Sequence, residues 1–172
     1  DSGSTALHYF CQHNGPDVYD EERAHLVQRM LQRGAKADAR NSNGETPLHM
    51  CALSKNTTIM RVLLDAGAPI NAFNAVGENA LFYAVRVDRP RETVHFLLQH
   101  GVDVMVKGRF GTVMDVVREM RRDAELLDLL QPAVEHAQRE GRTVRAPVGS
   151  EPVPSYFDLR KAGGSSGSFS TK

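Results

Sequence analysis

His8, Cys11 and His13 offer three metal-ligand side chains within six residues, and imidazole with thiolate is a set that zinc accepts. Their spacing argues against a shared ion. Three positions so close together on one packed helix cannot all face the same way, so no metal centre is expected. Cys11 and Cys51 fall at small-residue packing positions on expected inner helices, which suits two buried, reduced thiols in a cytosolic or nuclear protein. The basic run Arg118, Arg121, Arg122 is broken by Glu119 and Asp123. It reads as a solvated face rather than a nucleic-acid patch. No phosphate loop, zinc-ligand spacing, glycine-rich dinucleotide turn or serine nucleophile elbow occurs. The chain is therefore expected to be no enzyme and to need no cofactor.

The elements that position these residues recur. Gly3 to His8, Gly44 to His49 and Gly77 to Phe82 read Gly-Ser-Thr-Ala-Leu-His, Gly-Glu-Thr-Pro-Leu-His and Gly-Glu-Asn-Ala-Leu-Phe, and a worn copy runs from Phe110 to Asp115. Thr5, Thr46, Asn79 and Thr112 fall in register at intervals of 41, 33 and 33 residues. A leucine-type pair follows each copy: Met30-Leu31, Leu63-Leu64, Leu97-Leu98 and Leu129-Leu130. After the first three pairs comes a glycine, at Gly34, Gly67 and Gly101. A fixed period of this length means stacked supersecondary units, none able to bury its apolar face alone. His8 and His49 share one position in the repeat, but Phe82 and Asp115 replace them later, so that position is not a shared active site.

The pattern resembles the ankyrin repeat over roughly Asp1 to Gln131, and Asn41 to Ala72 is close to that family's consensus. The resemblance implies an all-α solenoid of helix-turn-helix units with a C-terminal capping helix and an extended tail. Copies are expected at about 1–40, 41–72, 73–106 and 107–131, with a cap helix at 132–140. Residues 1–140 then form the array and 141–172 a Pro/Gly/Ser-rich tail. The resemblance also implies that His8 and His49 tie turn to helix by hydrogen bonds.

Local chemistry supports the same units. Thr46 suits an N-cap and Pro47 the first helical position, where its missing N–H costs nothing. Leu48, Cys51 and Ala52 make a small apolar inner face. Ile59, Val62, Leu63 and Leu64 follow at helical spacing, and Gly67 closes the outer helix. Helix pairs are expected at about Pro47–Leu53 with Thr58–Ala66 and Ala80–Arg86 with Arg91–Gln99. Residues 12–20 carry about eight extra residues with Asn-Gly-Pro turn chemistry. Such an insertion is either a functional feature or simple length drift. Pro132 is expected to interrupt the last outer helix.

Acidic and basic residues balance at 21 each, which argues against partners drawn by bulk charge, nucleic acid and membranes included. No apolar run approaches a membrane span, and no signal pattern opens the chain. The chain does not begin with methionine, which suggests a segment of a longer or processed protein. In the tail, Tyr156, Phe157 and Leu159 form a cluster that either brushes the chain's own repeats or docks on another protein. Ordering the 24 residues from Gly149 would cost on the order of tens of kcal/mol. An ordered tail would therefore need an outside holder.

Partners of the ankyrin family lie across the turn tips and exposed inner-helix residues. The matching positions here are Ser42, Asn43, Glu45, Leu53 and Ser54 in the second copy, and Ala75, Val76, Glu78, Arg86 and Val87 in the third. In the fourth they are Gly108, Arg109, Glu119 and Met120. Phe73 and Phe110 flank the tips, either solvated or packed back on the next repeat. Two functions follow: a scaffolding component of a multiprotein assembly, such as a cytoskeletal or ciliary one, or an adaptor that recruits one partner through the concave face. A regulatory subunit of an enzyme ranks third. A cytoplasmic location, with the nucleus also open, is expected.

Overall fold

The computed structural model describes residues 3–13, 20–120 and 124–144. The tail cluster Tyr156, Phe157, Leu159 and residues 14–19 of the first-copy insertion lie outside the described residues. The described chain forms four helix pairs: α1 Ala6–Gln12 with α2 Asp20–Gln32, α3 Pro47–Ser54 with α4 Thr57–Asp65, α5 Ala80–Arg86 with α6 Arg91–Gln99, and α7 Val113–Glu119 with α8 Ala124–Arg139. The inner helices stack α1 on α3, α3 on α5 and α5 on α7; the outer helices α2, α4, α6 and α8 stack behind them. Before α7 the chain makes a two-residue antiparallel ladder, β1 Lys107–Gly108 with β2 Gly111–Thr112. No helix among the described residues is long and apolar enough to cross a membrane.

The caps explain where the helices start. Thr46 donates its N–H to His49 Nδ1 at 3.0 Å, and Thr5 does the same to His8 at 3.1 Å. The Nε2 atoms then reach the next unit: His8 to the Glu45 carbonyl at 2.9 Å, His49 to the Glu78 carbonyl at 3.1 Å. One side chain thus satisfies an orphan donor of its own helix and a tip carbonyl of the following repeat. In the third unit Phe82 is buried instead, and Asn79 caps Leu81 N while donating to the Asp103 carbonyl at 2.8 Å. In the fourth, Asp115 accepts from both the N–H and the hydroxyl of Thr112.

Each outer helix ends the same way. The N–H after a glycine bonds a carbonyl five residues back: Ala35 to Met30, Ala68 to Leu63, Val102 to Leu97 and Arg142 to Ala137, all within 2.9–3.1 Å. Gly34, Gly67, Gly101 and Gly141 hold φ of 91°, 84°, 78° and 71°, the left-handed turn that glycine accepts without a Cβ penalty. Gly141 therefore closes the fourth unit, a role the sequence periodicity did not assign.

Several expectations are corrected. The last outer helix does not stop at Pro132; α8 runs through it from Ala124 to Arg139, with no separate helix at 132–140. Pro132 is exposed, so water can reach the Asp128 carbonyl that loses its donor. Leu126 and Leu130 before the proline and Ala137 after it are all buried, and this burial outweighs the lost bond. The second outer helix starts at Thr57 and ends at Asp65, because Asn56 accepts from Ile59 N and sets the N-cap one residue early. Leu63 is wholly buried while Leu64 only packs on the rim of the core. Ser54 is buried rather than presented, donating to the Cys11 carbonyl at 2.5 Å. Cys11 and Cys51 are buried free thiols, and burial with Cys11 alongside pushes the Cys51 thiol well above its usual range.

Candidate protein-recognition groove

A groove of about 490 Å³ opens between the third and fourth units, lined by Val76, Glu78, Arg86, Arg109, Phe110, Val116, Glu119 and Met120. Its near wall starts at the tip before α5. Asn74 Oδ1 accepts from Val76 N at 3.0 Å and Glu78 N at 2.9 Å, an Asx turn that presents Val76 and draws Glu78 inward. Glu78 is buried, and a charge there needs a partner. Arg86 supplies it from the last turn of α5, with Nη1 to Oε2 and Nη2 to Oε1 both at 2.6 Å. This forked pairing raises the already high pKa of the guanidinium, against the opposing effect of burial. The pair forms a fixed polar wall with Arg86 partly exposed on the groove side.

The far wall comes from the β1–β2 tip and α7. Arg109 and Phe110 occupy the tip between the paired residues, with the Arg109 guanidinium 5.5 Å from the Phe110 ring centre. Phe110 remains exposed. Val116 supplies the floor from α7, and Glu119 and Met120 close the far end. Gly108 lets the tip sit close: a Cβ there would stand 2.6 Å from Glu78 Cγ and 3.2 Å from Phe82 Cε1. An exposed aromatic and an arginine beside an apolar floor are residue types enriched at protein interfaces in general. Among the described residues no group of three His, Cys, Asp or Glu side chains is arranged to hold a metal ion.

Seven residues read from the sequence as partner-facing therefore meet in one place: Val76, Glu78, Arg86, Arg109, Phe110, Glu119 and Met120. The others do not join them. Asn43 is exposed at the second tip, where its carbonyl accepts from Ala75 N at 2.9 Å. Leu53 is exposed near the end of α3. Phe73 packs back against the core, and Val87 is half-buried at the C-cap of α5. Glu45 is taken up by a network: its carboxylate accepts from Asn41 Nδ2 and the Tyr83 hydroxyl, both at 2.6 Å. Burial pushes the Glu45 carboxyl up, but hydrogen bonds from Asn41, Tyr83 and Asn43 with the nearby His49 hold it below its ordinary value.

Sequence reasoning missed two residues here. Val116 reads from the sequence as part of the inner apolar face and is buried there, and its edge also lines the groove. Tyr83 was overlooked, although it shares a repeat position with Tyr9, Met50 and Val116. Its hydroxyl joins the Glu45 network, and its ring meets His49 edge-on with centres 5.1 Å apart.

Comparison with known proteins follows the same geometry. Residues 18–108 match the family model for ankyrin repeats in three copies. A probable serine/threonine-protein kinase of Dictyostelium discoideum is 38% identical over 108 residues, 61% of this chain and 12% of that protein. The E3 ubiquitin-protein ligase KEG of Arabidopsis thaliana is 28% identical over 137 residues, 74% of this chain and 8% of the ligase. The B-cell lymphoma 3 protein of Homo sapiens is 34% identical over 83 residues, 46% of this chain and 18% of that protein. The chain spans less than a fifth of the length of each of these relatives, and the likeness to the kinase and ligase runs through the repeats. With more than half of its length matching that model and its helix pairs stacked in that family's manner, the chain belongs to the ankyrin-repeat family.

Proposed function

We propose that this chain is a non-catalytic recognition module that recruits a partner protein through the groove between its third and fourth repeats. The observation that carries the reading is the meeting of Val76, Arg86, Arg109, Phe110 and Met120 around one opening. Ankyrin repeats serve as protein-interaction modules, and relatives named as kinases and a ubiquitin ligase carry related repeats as a small part of long chains. A cytoplasmic setting suits the two buried free thiols. No cofactor enters this reading.

The test is a pull-down from extract of the source organism with the wild-type chain, with Met120→Glu combined with Arg109→Glu, and with Arg61→Glu on the exposed outer surface. A partner retained by wild type and Arg61→Glu but lost from the groove variant supports the reading. A partner retained equally by all three sinks it.

A second reading gives the chain a permanent place in a multiprotein assembly, the cytoskeleton included, with residues 141–172 as a docking segment. Its support is the Tyr156, Phe157, Leu159 cluster within a Pro/Gly/Ser-rich stretch. Deleting Ser150 to Lys172 should then weaken incorporation while leaving the melt of the array unchanged.

A further inference from the structure

The two ends of the array differ in kind. At the C-terminal end α8 shows solvent an outer face with Glu125, Asp128 and Arg139 exposed, the polar surface a terminal repeat needs for solubility. The N-terminal end shows the opposite. Tyr9 on α1 is 54% exposed and Leu26 on α2 is 42% exposed.

Register identifies what these two positions do elsewhere. Tyr9 aligns with Met50, Tyr83 and Val116 at intervals of 41, 33 and 33 residues. Tyr83 points back onto the preceding repeat, with its hydroxyl 2.6 Å from Glu45 and its ring against His49. Met50 and Val116 are 5% and 6% exposed. Leu26 aligns with Ile59, Thr93 and Leu126, which are 0%, 1% and 4% exposed. These later positions belong to repeats that each have another stacked before them. Tyr9 and Leu26 are the same positions in a repeat with no described unit before it. Between their helices Arg23 holds the end of α1, donating to the Phe10 and His13 carbonyls. Tyr9, Phe10, His13 and Arg23 enclose an opening of about 310 Å³ on this end.

We propose that the α1–α2 face is a stacking interface rather than a terminus, and that its occupant is another helix-turn-helix repeat of the same class, N-terminal to this one in the same polypeptide. The argument is continuity of the established stack: the outer-helix position is buried in all three later repeats, as Ile59, Thr93 and Leu126, and the inner-helix position is buried at Met50 and Val116 and half-buried at Tyr83. An aromatic and a leucine at these two places, both uncharged, argue for an internal repeat over a cap, while the exposed Arg29 stands where Val62 and Phe96 face the preceding unit.

The test keeps the whole chain and adds one unit. A consensus 33-residue ankyrin repeat, bearing a polar N-terminal face of its own, is fused directly ahead of Asp1 in register. Repeat stability is close to a sum of unit and interface contributions, so the thermal midpoint should rise by about 5–10 °C. The same fusion carrying Tyr9→Glu and Leu26→Glu should lose most of that rise. In the unfused chain the two substitutions should leave the circular-dichroism spectrum and midpoint nearly unchanged, since both residues are exposed there. No rise in the wild-type fusion overturns the proposal, as does a rise that survives both substitutions. Sedimentation of the unfused chain supplies the third arm. A dimer that Tyr9→Glu and Leu26→Glu convert to monomer would assign the face to a second copy of the chain, and would overturn it as well.

Discussion

The phenol of Tyr83 donates a 2.6 Å hydrogen bond to Glu45 Oε1, joining the third repeat's inner helix to the second repeat's tip. Asn74 Nδ2 donates in turn to the Tyr83 phenol oxygen at 2.8 Å. Tyr83→Phe keeps the ring against His49 but removes the donor from a partly buried carboxylate. The expected cost is about 1–2 kcal/mol by urea denaturation. A double-mutant cycle with Glu45→Gln should return a coupling of about 1 kcal/mol. Strict additivity would show that the bond carries no stability of its own.

His49 should make the fold acid-sensitive. Its Nδ1 accepts from the Thr46 N–H and its Nε2 donates to the Glu78 carbonyl, so the ring is neutral, and burial pushes its pKa down to about 4 from 6.5. Between those values the unfolded chain takes up a proton that the folded chain refuses. Stability is therefore whole above about pH 6.5 and falls as pH drops towards 4, by up to about 3 kcal/mol. Glu45, held below its ordinary value, adds a loss in the same direction as pH falls through its folded pKa. Thermal melts from pH 7.5 to 4 should show the decline, and His49→Gln should flatten its upper part. A wild-type midpoint constant across that range would falsify the assignment.

Leu63 and Leu64 separate core from rim on one helix. Leu63→Ala should cost about 2–5 kcal/mol, because the cavity forms where the residue is wholly buried. Leu64→Ala should cost clearly less, since that side chain is only half-buried. Chemical denaturation of the pair decides it, and equal losses would contradict the burial difference.

Gly108 and Gly67 should respond to alanine for different reasons. At Gly108 a Cβ would press on Glu78 and Phe82, costing about 1–3 kcal/mol as overpacking and shifting the groove wall. At Gly67 nothing lies within 4 Å of the added carbon, but φ is 84°, so the cost is the left-handed backbone alone, about 1–2 kcal/mol. Partner binding measured on both folded variants distinguishes them: Gly108→Ala should weaken it and Gly67→Ala should not.

The repeats were legible because their signals are local. Thr46-Pro47 at a helix start, the glycines at Gly67 and Gly101, and the spacing of Leu81, Ala84, Val94 and Leu97 each act within a turn or two. Helices α5 and α6 accordingly have the bounds read from the sequence. What was not legible depends on distant partners. Pro132 reads as a helix stop unless Leu130 and Ala137 are known to pack on one core. Glu78 reads as a solvated tip until Arg86, eight residues on, folds back over it. Val116 reads as core because whether an inner-face residue is sealed or left at a groove depends on how the next tip curls.

The junctions between repeats are not chemically alike. His8 and His49 fasten the first two with a hydrogen bond to a tip carbonyl, whereas at the third Phe82 stands in that place and packs close to Gly108. Apolar contact weakens on cooling more than a hydrogen bond does. The third junction is thus expected to loosen on cooling more than its neighbours, and it is the seam the groove straddles. A partner gripping both walls would hold that seam shut, so chilling would loosen the empty array at a place where the occupied one is clamped.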